Sequence, residues 1–134
     1  SDEDNTDGTY QDLNSVSFSV PGMLGGGYHF MQFDGKYIDN NKEATGFSYH
    51  TIKAVDTTDP DNLKFEDTSF EVNLGTVVVA NTTEIEIKMN LAEWFKNPNT
   101  WNLNELNTVL MPNFEAQKMM RANGDSVFSL GVVN

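Results

Sequence analysis

The stretch Ile85-Glu86-Ile87-Lys88-Met89-Asn90-Leu91 alternates apolar and polar side chains without a break. Successive side chains of a strand point to opposite faces, so this alternation predicts a strand with one buried and one exposed face. The period then changes, because Asn90 with Glu93 three positions later is typical of a helix N-cap with a capping box. Asn97-Pro98 predicts the end of that helix. The stretch therefore predicts a strand that runs directly into a short helix.

Short apolar runs upstream of this stretch, separated by Gly, Pro, Asn and Asp, predict further strands. These predicted strands are residues 16–20, 28–33, 36–38, 47–55, 70–74 and 77–79. Asp34-Gly35 is typical of a tight turn between the second and third of them. The side chains that we expect to be mostly buried are Phe18, Phe30, Phe47, Phe70, Val78, Ile87, Phe95 and Phe128.

Downstream, residues 113–122 predict a helix that Asn113 caps and that Gly124 ends in a left-handed conformation. Residues 127–132 are apolar enough to return to a sheet. The chain is therefore predicted to be mainly β, an antiparallel β-sandwich of about six to eight strands with short helices inserted after residue 90. Residues 1–14 are predicted to form a flexible acidic tether, and residues 15–134 a single β-sandwich domain.

Charge and composition exclude several classes of function. The 134 residues carry 20 acidic and eight basic side chains, for a net charge of −12, so nucleic acid is a poor partner. The absence of cysteine excludes disulfides, thiolate metal sites and a Cys nucleophile. No apolar run is long enough to span a membrane. The opening Ser-Asp-Glu-Asp-Asn-Thr-Asp-Gly is typical of the segment that follows the lipidated Cys of a bacterial surface lipoprotein, although an arbitrary start would look the same.

Motifs that suggest an enzyme are incomplete. Gly124-Asp125-Ser126-Val127 is similar to a hydrolase nucleophile block, but no histidine follows it to act as a base. The acidic loop that begins at Asp56 lacks the spacing of a calcium-binding EF-hand and is expected to be solvated. Trp94 and Trp101 are expected to anchor the late helices in the core. We therefore expect a protein that is not an enzyme.

The two histidines, His29 and His50, are the best candidates for a site. Imidazole is the commonest metal ligand, and both residues lie on predicted strands, where neighbouring positions face each other about 5 Å apart. Met31 shares the predicted strand face of His29. Two imidazoles with a thioether suit Cu(I), so the sequence predicts a metal site of His29, His50 and Met31. The alternative is that both histidines pack beside aromatic side chains and bind no metal.

Several of these segments, taken in order, resemble the MbnP family. Its members are extracytoplasmic proteins first associated with methanobactin operons and common as lipoproteins in Bacteroidetes. The segments that carry the resemblance, which is to the C-terminal half of the family domain, are Gly27-Tyr28-His29-Phe30-Met31-Gln32-Phe33-Asp34-Gly35, Phe47-Ser48-Tyr49-His50, Ile85-Glu86-Ile87-Lys88-Met89 with Trp94-Phe95 and Asn97-Pro98, Leu110-Met111-Pro112, and Ala122-Asn123-Gly124-Asp125-Ser126-Val127-Phe128-Ser129.

The resemblance implies a non-catalytic protein of the periplasm or of the outer-membrane surface. The best-known members bind copper through histidines, which implies copper as the cofactor and His50 and His29 as ligands. They also carry an oxidised tryptophan made by a di-haem peroxidase, which implies such an enzyme as a partner. Pro21-Gly22-Met23-Leu24-Gly25-Gly26 stands here in place of the family's Trp-rich segment. The alternative function is a surface or periplasmic interaction or structural lipoprotein that binds no metal.

Overall fold

The computed structural model describes residues 15–134 and is mainly β. Within these residues, six strands form three two-stranded antiparallel sheets, which pair β1 with β2, β3 with β4, and β5 with β6. The elements are β1 (Met31–Ile38), β2 (Ala44–Thr51), β3 (Ala54–Asp56), β4 (Lys64–Glu66), β5 (Ile85–Met89), the helix α1 (Phe114–Gly124) and β6 (Phe128–Val133), with 3-10 helices at Gly22–Leu24 and Leu91–Phe95. The prediction of a mainly β, antiparallel protein is confirmed.

The described chain divides into two compact units. The first unit comprises residues 15–68 with Asn102–Lys118, and the second comprises Ser69–Trp101 with Met119–Asn134. A single domain over residues 15–134 stays a prediction, and the predicted tether of residues 1–14 lies outside the described residues. No helix within residues 15–134 is both long and apolar enough to cross a membrane.

The β1–β2 hairpin is the largest sheet of the first unit. Its burial alternates along β1, and the partners of the four inward residues are Thr51, Tyr49, Phe47 and Thr45 of β2. The predicted turn at Asp34-Gly35 is wrong, because β1 continues through both residues. The turn comes instead at Asp39, whose carboxylate accepts hydrogen bonds from the backbone of Asn41 and Glu43 at 2.9 Å each. A carboxylate that satisfies two backbone donors stabilises a turn more specifically than an Asp-Gly sequence alone.

Three of the predicted strands do not form. Residues 16–20 contribute only an isolated bridge from Ser19 to Tyr28, and no strand is assigned within 70–74 or 77–79. Alternating apolar residues make a strand only when a partner edge is available to take their backbone hydrogen bonds. A 3-10 helix at Gly22–Leu24 also lies well before residue 90, because Pro21 and the left-handed Gly25 bound a single turn there.

Several predicted core residues are exposed instead. Phe47 is buried as predicted, and three others of the set are partly buried: Phe70, Phe95 and Phe128. The exposed fractions of the remaining four are 46% for Phe18, 57% for Phe30, 89% for Val78 and 59% for Ile87. Every residue of β5 is exposed, since a two-stranded sheet does not cover its own faces.

Each unit has its own apolar cluster. In the first unit, Val20, Leu24, Ile52 and Val55 are buried together, and Leu63 and Met111 pack against them. In the second unit, the ring of Phe70 lies 6.0 Å from Trp94 and 6.4 Å from Phe128, measured between ring centroids.

The predicted helix starts are confirmed. Asn90 caps the 3-10 helix Leu91–Phe95 by accepting a hydrogen bond from the backbone of Ala92, and Asn113 caps α1 through Ala116 at 3.0 Å. The predicted left-handed Gly124 is wrong. Gly124 is the last residue of α1, and its φ is not positive. It lies under the ring of Phe70, where a β-carbon would come within 2.5 Å of that ring.

Candidate metal site

His29 and His50 lie side by side in the first unit. Their ring centroids are 5.2 Å apart and the rings meet edge to face, at 84°. His50 lies near the end of β2, whereas His29 precedes β1 and is not part of it. Three glycines with positive φ, Gly25 to Gly27, return the chain to the hairpin, and the His29 N–H then donates to the Phe18 carbonyl at 3.1 Å. Only glycine adopts three such conformations in succession at low cost.

The imidazole of His50 is oriented by Asp34. Nε2 of His50 lies 3.0 Å from both carboxylate oxygens of Asp34. The hydrogen bond from His50, with a further one from Ser48, holds the pKa of the Asp34 carboxyl below its usual range. A carboxylate can only accept, so this contact places a proton on Nε2 and leaves Nδ1 as the nitrogen with a lone pair in the neutral ring.

The imidazole of His29 contacts three groups. Nδ1 lies 3.2 Å from the Phe18 carbonyl oxygen and 3.2 Å from Nε2 of Gln32, while Nε2 lies 3.0 Å from Sδ of Met111. The carbonyl oxygen can only accept, whereas the Gln32 amide has another acceptor in the Ser17 carbonyl at 2.6 Å. A proton on Nε2 would donate to the sulfur while Nδ1 accepts from Gln32, whereas a proton on Nδ1 would donate to the Phe18 carbonyl and leave a lone pair on Nε2 beside the sulfur.

Met31, the third predicted ligand, lies on the opposite face of the hairpin from His50. It is paired with Thr51 and lies on the inward face of the hairpin, whereas His50 is paired with Gln32 on the outward face. The thioether at His29 is that of Met111, which the sequence analysis did not single out as a ligand. Its position 82 residues from His29 leaves no signal in local spacing.

A buried side chain connects the segments that carry His50 and Met111. Gln117 of α1 is 1% exposed, and its amide oxygen accepts from the Ile52 N–H at 2.8 Å. Its amide nitrogen donates to the His50 carbonyl at 2.9 Å and to the Leu110 carbonyl at 3.1 Å. One amide therefore links the backbone at the end of β2 to the backbone of Leu110, the residue before Met111.

The other sequence candidates have structural partners. Asp56 accepts from the backbone and the hydroxyl of Thr58, at 3.0 and 2.7 Å, as in an ordinary Asx turn. The Ser126 hydroxyl donates to the Asn97 carbonyl at 3.0 Å. Trp94 and Trp101 are buried, as predicted. Within residues 15–134, no three or more His, Asp or Glu side chains are grouped so that they could hold a metal ion.

Comparison with known proteins identifies the family of this chain. Neither the curated proteins nor the solved structures give a significant match. The model of the MbnP family matches residues 1–112, a range that includes His29, His50 and Met111. Residues 122–129, which also resemble the family, lie beyond that range. Because the match covers most of the sequence, the chain belongs to the MbnP family.

Proposed function

We propose that this protein is a non-catalytic protein of the bacterial cell envelope that binds copper through His29 and His50. The observation that carries the proposal is the edge contact of the two imidazoles, at 5.2 Å between centroids. Each ring has an acceptor on one nitrogen, the Asp34 carboxylate for His50 and the Phe18 carbonyl for His29. Metal-binding histidines usually have such an acceptor, because it fixes the tautomer and the ring orientation.

The residues fit a copper ion in chemical terms. Neutral imidazole nitrogen is a ligand for both copper oxidation states, and a carboxylate hydrogen-bonded to the other nitrogen fixes the tautomer and the ring orientation. His50 would bind through Nδ1 and His29 through Nε2. Bound copper would serve as a carried or stored ion. The side chains of this site would hold and orient that ion.

A second candidate function is an interaction or structural role without metal, and the second unit favours it. Ile85, Ile87, Met89 and Leu91 are between 44% and 59% exposed along β5 and the residues after it. Exposed apolar side chains at adjoining positions mark interaction surfaces in many proteins. In that case the His50–Asp34 pair would only stabilise the hairpin.

We place the protein in the periplasm or on the outer membrane, held by an N-terminal lipid anchor, with a di-haem peroxidase-like enzyme as its partner. Membership of the MbnP family and the acidic N-terminal segment support this assignment. Metabolic labelling of the full-length precursor with a fatty acid, followed by membrane fractionation, tests the anchor. A full-length protein that takes up no label and stays soluble would contradict it.

The copper proposal is tested by anaerobic titration with Cu(I) against a chromogenic competitor. We expect His29→Ala and His50→Ala each to weaken binding by at least about 10-fold, with the larger loss for His50→Ala, because Asp34 orients that ring most directly. The matched control is Ile38→Ala, an exposed substitution on the outward face at the far end of β1. If the wild type binds Cu(I) no more tightly than the double His→Ala variant, the copper proposal fails and the second candidate function stands.

A further inference from the structure

We infer that Met111 is the third ligand of this site and that its thioether makes the site selective for Cu(I) over Zn(II). The inference rests on the proposed copper function. It assigns a role to a residue that lies far in sequence from both histidines and that has the same chemical type as the predicted ligand Met31.

The first argument is the contact itself. Sδ of Met111 lies 3.0 Å from Nε2 of His29. In the tautomer that carries its proton on Nδ1 and donates it to the Phe18 carbonyl, Nε2 and the sulfur both present lone pairs. A soft cation that binds beside these two atoms can accept a lone pair from each of them.

The second argument is that Met111 is held in place before any metal binds. Its side chain packs against the buried cluster of Val20, Leu24, Ile52 and Val55. The Gln117 amide fixes the Leu110 carbonyl immediately before it and the His50 carbonyl on β2. Ligand side chains that are already in position lose less conformational entropy when the metal binds, so the affinity for the metal is higher without any further contact.

The third argument is chemical. Thioether sulfur is a soft ligand that favours Cu(I), whereas Zn(II) is also well served by imidazole and oxygen ligands. The Asp34 carboxylate is hydrogen-bonded to Nε2 of His50, so it orients this ligand. A set of two imidazoles and one thioether therefore distinguishes Cu(I) from Zn(II) through the sulfur.

Met111→Leu tests the inference, with Met31→Leu as the matched control on the inward face of β1. Leucine conserves the volume of methionine, so the packing changes little. We expect Met111→Leu to weaken Cu(I) binding by at least about 10-fold while Zn(II) binding changes by less than about 2-fold, since only the soft ion uses the sulfur. Met31→Leu should leave both affinities unchanged. X-ray absorption at the copper edge should show a sulfur neighbour in the wild type and none in Met111→Leu.

The outcomes separate this inference from the proposal beneath it. If the histidine variants lose Cu(I) affinity but Met111→Leu retains both the affinity and the sulfur neighbour, the inference is wrong and the copper function survives. If the wild type binds Cu(I) no better than the double histidine variant, both fail. Should Met111→Leu not fold, wild-type protein labelled with ¹³C at the methionine methyls gives the answer. The Met111 methyl must then shift on addition of Cu(I) far more than that of the exposed Met23, and an unshifted Met111 would overturn the inference.

Discussion

Tyr49 lies on the inward face of β2 with no exposed surface, and burial raises the pKa of its hydroxyl well above the ordinary value of 10.0. Burial disfavours the charged phenolate, so the folded protein keeps this group neutral in a pH range where the unfolded chain ionises it. The native state therefore has its full stability from this residue below pH 10. It loses that stability as the pH rises further, because only the unfolded chain releases the proton.

We predict that Tyr49→Phe removes part of this alkaline destabilisation. Each pH unit above 10 costs the wild type about 1.4 kcal/mol at this residue until the folded group also ionises, and phenylalanine has no proton to lose. The free energy of unfolding should be measured by urea denaturation between pH 8 and pH 11. A difference between variant and wild type that stays constant over that range would contradict the prediction.

At the same scale, local spacing predicted part of the candidate site. The two histidines were found from residue type alone, and the structure brings them into contact. The thioether was assigned to Met31 because it lies two residues from His29, but strand alternation places Met31 on the inward face. Met111 could not be found in this way, since its approach to His29 depends on the path of the intervening chain.

Among the elements, α1 shows how packing can reverse the usual preference for a residue. Alanine in a helix is ordinarily more stable than glycine by about 1 kcal/mol. At Gly124, however, an added β-carbon would lie 2.5 Å from two carbons of the Phe70 ring. The ring would have to move away from Trp94 and Phe128, the two aromatic neighbours it contacts in the second unit.

We therefore predict that Gly124→Ala destabilises the protein by about 1–3 kcal/mol, the usual cost of overpacking. Gly22→Ala is the matched control, because a β-carbon on this residue of a 3-10 helix meets nothing within 4 Å. Thermal and urea unfolding of the two variants supply the comparison. A Gly124→Ala protein as stable as the wild type would show that Phe70 can move away without loss.

The caps were predictable because the information lies in adjacent residues. Asn90 and Asn113 satisfy backbone donors two and three positions away, which is a local property. Residues 70–74 have the same alternation as β5 and yet form no strand. The difference is that β5 pairs with the edge of β6, whereas residues 70–74 pair with no strand edge within residues 15–134. Which edge is available depends on contacts between residues far apart in sequence.

For the molecule as a whole, the net charge of −12 on 134 residues opposes compaction through mutual repulsion. We predict that the unfolding temperature of the metal-free protein rises between ~0.01 M and ~0.15 M NaCl, as the Debye length falls from about 30 to about 8 Å. Differential scanning fluorimetry measures it, and sucrose of equal osmolality is the control. A temperature that is constant or falls with salt would mean that local ion pairs, such as Lys96 with Glu93, outweigh the long-range repulsion.

The side-chain amide of Gln117 also occupies hydrogen-bonding groups on the edge of β2 that does not pair with β1. In a parallel sheet, a residue placed opposite Thr51 would donate its N–H to the His50 carbonyl and accept from the Ile52 N–H through its own carbonyl. The side-chain amide of Gln117 makes these same two hydrogen bonds. Farther along, the Ser48 N–H on that edge donates to the Asn107 carbonyl at 2.7 Å. One glutamine thus imitates a single residue of a missing strand. The hairpin therefore offers no template at this edge on which the strand of another chain could extend the sheet.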